Sequence, residues 1–311
     1  MASILDDAKA TSSVAKLMYG IDTTAIILSS FAAGSAIYQL ANSRRHIYDE
    51  APTTDSEKDT RSRLLSRPRR DLFGVRLLIL AAAVFAILRS GLHIVSIQAE
   101  TSRRYIRANG GKFVPAADRA RNIAYLWFEV GAVFFFFTAL IHLKTQFFLW
   151  ALTPTRRRLS RLEDGFLIAV FLVLWLAVCV PSTIANLKRL SLKDIVNSSI
   201  ASIYTLSAWM IVATIAISTS VLTKLIHSSR AKITCLERVT LARFSMVVVP
   251  ILVADVAIII SAFIVSLLGY YRDANVDANY VVDVVVEVLG ASVVLVWVVG
   301  IVRKLESCPE R

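Results

Sequence analysis

Asp22, Arg89, His93, Glu129, Asp255, Asp283 and Glu287 each interrupt a long apolar stretch of this 311-residue chain. Ionisable side chains at membrane depth are costly, and they are functional candidates by default. Arg89 lies eight residues from the end of its stretch, Glu129 seven and Glu287 seven. At about 1.5 Å per helical residue, that is a common depth on the order of 11 Å. His93 stands one helical turn from Arg89, Tyr125 one turn from Glu129, and Asp283 one turn from Glu287. Asp22 is near the same end of its own stretch, and Asp255 lies deeper. One Arg and one His cannot compensate five carboxylates. The surplus acids must be hydrated, protonated or met by a ligand, so the spacing implies a cavity opening at that end. Carboxylic acids desolvated by apolar surroundings hold their proton near neutrality and can then serve as donors.

Simpler roles compete with this chemistry. Arg89 can form an ion pair with Glu129 or Glu287 that fastens helices together. Asp22 and Asp283 are close enough to the surface to be hydrated. Arg76, four residues inside its stretch, can snorkel to the nearer surface. Trp127, Phe128, Phe134 to Phe137, Trp175, Trp209 and Trp297 serve lipid contact and packing. A few of them lining the cavity would shelter a cation against their faces.

The elements that must position these groups are membrane spans. Apolar residues make up 56% of the chain, charged residues 19%, and the mean hydropathy is +0.62. A water-soluble core cannot hide that much apolar surface, which excludes an ordinary soluble enzyme, a disulfide scaffold and a disordered chain. Seven stretches are long enough to cross a bilayer: 18–41, 72–97, 122–148, 165–187, 199–222, 244–269 and 280–302. The expected fold class is all-α, one seven-helix transmembrane domain over 1–311, because isolated backbone in lipid must satisfy its own hydrogen bonds. The Val-rich run 281–286 is read as helix for the same reason. Loops alternate in basic content: 21 Lys and Arg fall on one side and 12 on the other. The excess puts the N-terminus outside or luminal and the C-terminus in the cytoplasm. This assignment places the acidic residues, Asp255 apart, in the outer half.

The net charge of +12 is read as this topology signal, with membrane lipids as its partner. Nucleic acid is not expected as a partner, since no recognition motif appears. No disulfide is expected from Cys179, Cys235 and Cys308, and no metal or cofactor, since neither a metal-ligand pattern nor a P-loop nor a dinucleotide fingerprint occurs. The chain is expected as a multi-pass protein of the endoplasmic reticulum or plasma membrane. Ser30 and Gly34 form a small-residue pair suited equally to internal packing or dimerisation, which leaves the oligomeric state open.

The stretch Leu88-Arg89-Ser90-Gly91-Leu92-His93 leads on to Glu100, and Tyr125-Leu126-Trp127-Phe128-Glu129 follows in the next span. Together they resemble the paired Arg-Ser…Glu and aromatic-aromatic-Glu elements of fungal seven-span membrane proteins. That group includes lipid-translocating-exporter-like proteins, receptor-like proteins and the membrane-bound terpene cyclases of meroterpenoid pathways. It tends to carry a second Arg where this chain has His93. In the cyclases, intramembrane acids are the catalytic donors, and the resemblance carries that role to Glu129 and Asp255.

The leading expectation is therefore a terpene cyclase that starts cyclisation of a prenylated, epoxidised lipophilic substrate by protonation. Glu129 or Asp255 would be the general acid. Glu287 or Asp283 would take the final proton or stabilise positive charge, and Arg89, His93 and Tyr125 would bind the substrate's polar group. The alternatives are a receptor-like protein holding a ligand in the same cavity, and a lipid exporter. The near absence of charge from the inner half weighs against the exporter.

Overall fold

The computed structural model describes residues 2–49, 72–108, 116–148, 154–187 and 285–306, with separate helical positions between 208 and 257. No strand occurs among the described residues. Helix α1 is Ala2–Asp49, α2 Phe73–Ala108, α3 Ala116–Phe148 and α4 Pro154–Leu187. A π-helical segment, Val285–Gly290, runs directly into α5, Ala291–Glu306. Four of these helices carry a stretch long and apolar enough to cross a membrane: Ala15–Asn42, Phe73–Gln98, Ile123–Leu143 and Arg161–Ile184. They correspond to the first four expected spans. Val285 and Val286 are helical, as the lipid argument requires, while 281–284 lie outside the described residues. The stretches 199–222 and 244–269 are described only at separate helical positions.

Local sequence explains the helix limits. Pro154 opens α4, where its missing N–H costs nothing. Asn109-Gly110-Gly111 follows the end of α2, a run with poor helix propensity. Pro181 sits inside α4, so the helix gives up one backbone hydrogen bond at that turn.

Successive helices are antiparallel. Asp22 of α1 meets His93 of α2 near one end, and Gln39 meets Arg76 near the other. Arg89 and Phe85 of α2 meet Glu129 and Phe135 of α3. Trp127 of α3 meets Thr183 of α4, and Phe134 meets Phe171. Helix α5 instead runs parallel to α1, since Ser29 bonds Ser292 and, further along, Gln39 bonds the Val299 carbonyl.

The distribution of polarity is that of a protein dissolved in lipid. Ile27, Phe31, Phe166 and Val173 are exposed, while Asp22, Ser29, Gln39, Arg76, Arg89 and Ser90 are buried. Large apolar residues face outward and most of these polar ones meet a partner, the Ser90 hydroxyl having none among the described residues. The packing face of α1 is Ala25, Ser29, Ala32, Ala33 and Ala36, small residues at helical spacing that allow close approach. Ser30 and Gly34 lie on the exposed side of α1, no described residue comes within 4 Å of where a Gly34 Cβ would stand, and they take no part in the packing among the described residues.

Candidate functional site

Two polar pairs stand one helical turn apart near the same end of the apolar spans of α1, α2 and α3. In the first, Arg89 Nη2 donates to Glu129 Oε1 at 3.2 Å. The Tyr125 hydroxyl, one turn along α3, donates to the same oxygen at 3.4 Å. Both donors converge on Oε1, and no hydrogen bond from the described residues reaches Oε2. The Arg89 side chain is 7% exposed and that of Glu129 is 29% exposed. One partner is sealed in the bundle while the other keeps an accessible face.

In the second pair, His93 Nδ1 and Asp22 Oδ2 are 2.5 Å apart. Asp22 is only 1% exposed. Its position near a span end allows either hydration or an inward role; the side chain turns inward, where the His93 ring meets it. The tilted His93 and Tyr125 rings lie 5.9 Å apart between centroids and link the two pairs. Beyond them Gln98 Nε2 donates to the Tyr19 hydroxyl at 3.5 Å. The result is a polar ladder across three helices, with Asp22, His93, Tyr125, Glu129 and Arg89 as its rungs.

The remaining sequence candidates divide by position. Glu287 lies in the π-helical segment. Its neighbour Val288 belongs to a small apolar cluster with Met18, Ile21 and Ala25, so the backbone of 287 stands level with the ladder. Asp255 and Asp283 lie outside the described residues. Among the described residues no group of three or more His, Cys, Asp or Glu could hold a metal ion.

The aromatic residues between α2, α3 and α4 pack mainly on one another. Phe85 makes edge contacts with Phe128, Phe135 and Trp175. Trp175 stacks on Phe134 with centroids 5.2 Å apart, and Phe171 stacks on Phe137 at 5.5 Å. Trp127 touches Trp175 and donates its indole N–H to Thr183 Oγ1 at 2.9 Å. Such geometry holds α2, α3 and α4 together. Gly131 is what lets the rings close: a Cβ there would lie 2.5 Å from Phe85 Cε1 and 3.2 Å from Trp175 Cζ2. The Trp127–Thr183 bond also sets the register of α4, and it brings Pro181 to the level of Glu129.

A second polar contact, at the opposite end, was not expected. Arg76 is 2% exposed and does not snorkel. Its Nε donates to Gln39 Oε1 at 3.4 Å, and Gln39 Nε2 donates to the Val299 carbonyl at 3.2 Å. Between the two ends, Ser29 and Ser292 hydroxyls are 3.1 Å apart, and Ser292 also donates to the Val288 carbonyl at 2.8 Å. Asp22, Ser29 and Gln39 share the packing face of α1 with Ala25, Ala32 and Ala36. That periodicity is legible in the sequence and marks all three as inward-facing. Comparison with known protein families, with curated proteins and with solved structures finds no match to this chain.

Proposed function

We propose that the chain is a seven-span membrane protein, N-terminus outside or luminal and C-terminus cytoplasmic, that binds a lipophilic small molecule by its polar group at Glu129. The observation that carries this reading is the asymmetry of the Glu129 carboxylate. Arg89 and Tyr125 occupy Oε1, while Oε2 takes no hydrogen bond from the described residues on a side chain that keeps an accessible face. An ion pair built only to fasten helices gains most when both partners are sealed and every lone pair is used. A carboxylate held by one oxygen presents the other to a hydroxyl or another donor. The parallel course of α1 and α5 supports an odd number of spans, and so termini on opposite faces.

The catalytic form of this reading is proton-initiated cyclisation of a prenylated epoxide, with Glu129 or Asp255 as the acid. What favours it is again the arrangement on Oε1. After a proton leaves Oε2, two donors are already in place to stabilise the carboxylate. Glu129→Gln and Asp255→Asn keep shape and remove the acidic proton. Microsomes carrying the wild-type chain should convert epoxyfarnesyl phenols into isomers of unchanged mass. At least one variant should lose roughly 10²–10⁴-fold in rate. Equal activity in wild type and both variants would remove the assigned acids. If the wild type converts nothing, the same phenols should still raise its melting temperature, and Glu129→Gln should weaken that shift. No shift with any of them would refute binding as well.

A further inference from the structure

Asp22 has no part in the reading above, yet it is the most deeply buried acid among the described spanning residues. A carboxylate taken out of water is tolerated only when its oxygens are met by donors. The group placed to do so is the His93 imidazole, 2.5 Å away through Nδ1. With Asp22 ionised the carboxylate only accepts hydrogen bonds, and the ring then carries a proton on Nδ1. The tautomer and the plane of His93 are then set from α1, a different helix from its own. The His93 ring in turn lies against the Tyr125 ring, and Tyr125 donates to Glu129.

We propose that Asp22 is a positioning residue of the Glu129 site. It holds His93 as the Nδ1–H form, and through the His93–Tyr125 contact it keeps the Tyr125 hydroxyl on Glu129 Oε1. This assignment rests on Glu129 being the functional carboxylate, but the arrangement itself is measurable without any ligand. It makes α1 part of the site although α1 contributes no group to Glu129 directly. It also gives the buried Asp22 a reason beyond helix packing: a fixed acceptor on Nδ1 favours one tautomer and one ring orientation, and an apolar residue at that position would supply no such acceptor.

The test uses the full chain in lipid bilayers with its four histidines, His46, His93, His142 and His227, labelled with nitrogen-15. The spectrum of wild type minus His93→Gln isolates His93. The expected wild-type signal is a protonated Nδ1. In Asp22→Asn, whose amide can donate as well as accept, that signal should shift toward the Nε2–H form. A wild-type Nδ1 without a proton would overturn the proposal. The second measurement is a thermal-stability cycle of Asp22→Asn with Glu129→Gln. The two residues belong to separate pairs, so an Asp22 that served only its own helix contact would give additive losses. The proposal requires non-additive losses that become additive in a Tyr125→Phe background. Additivity in both backgrounds would refute the link to Glu129. Loss of turnover or ligand response in the Glu129→Gln experiment bears on the function and leaves both readouts standing.

Discussion

Removing one member of the Arg89–Glu129 pair should cost far more than removing both. Breaking a buried ion pair costs about 3–5 kcal/mol because it strands an uncompensated charge. Here the guanidinium is 7% exposed and the carboxylate 29% exposed. The partial access of Glu129 places the cost near the lower end, about 3 kcal/mol. The two single changes should differ. With Glu129→Leu, a sealed guanidinium remains that keeps its charge at any accessible pH. With Arg89→Leu, the carboxyl left behind has an accessible face and the Tyr125 hydroxyl beside it. Glu129→Leu should therefore be the worse of the two. At roughly 2–4 °C per kcal/mol, the single variants should melt roughly 6–12 °C below wild type. The Arg89→Leu/Glu129→Leu double variant should recover most of that loss, since replacing a whole buried pair by apolar side chains is often close to neutral. The assay is thermal unfolding of detergent-purified protein followed by tryptophan fluorescence. A double variant no more stable than the worse single would show that the two groups do not compensate each other, and the ladder would lose its central rung.

Three further outcomes follow from the same packing. Gly131→Ala should lower stability by about 1–3 kcal/mol through overpacking against Phe85, and Phe85→Leu in the same chain should restore part of it in the same melting assay. Gln39→Leu removes the acceptor on Arg76 Nε and the bond to Val299; the expected loss is about 1–3 kcal/mol, read as a lower melting temperature, and an unchanged value would mean that this contact does not hold α5. A reporter fused after Arg311 should read cytoplasm and one before Met1 exterior or lumen; both on one side would require an even number of spans and contradict the parallel course of α1 and α5.

Composition and period decided the solvent and the elements. Runs such as Phe73–Gln98 can satisfy their backbone in lipid only as helices, so the first four spans are legible from hydropathy alone. The depth of Arg89 and Glu129 is legible too, because helical rise converts residue number into distance, and the structure brings these two together. Which groups meet across helices is a matter of rotation about each axis and of the crossing between neighbours, and neither is written in the spacing of one span. That Glu129 faces Arg89 is therefore a tertiary outcome. The same holds for Asp22 and Arg76. Both lie near span ends, where position alone allowed hydration or snorkelling. Small residues on α1 let the helices close tightly enough to enclose both side chains, where Asp22 meets His93 and Arg76 meets Gln39. The aromatics show the same division. Their number was plain in the sequence, but only the gap left by Gly131 decides that they lock α2, α3 and α4 together.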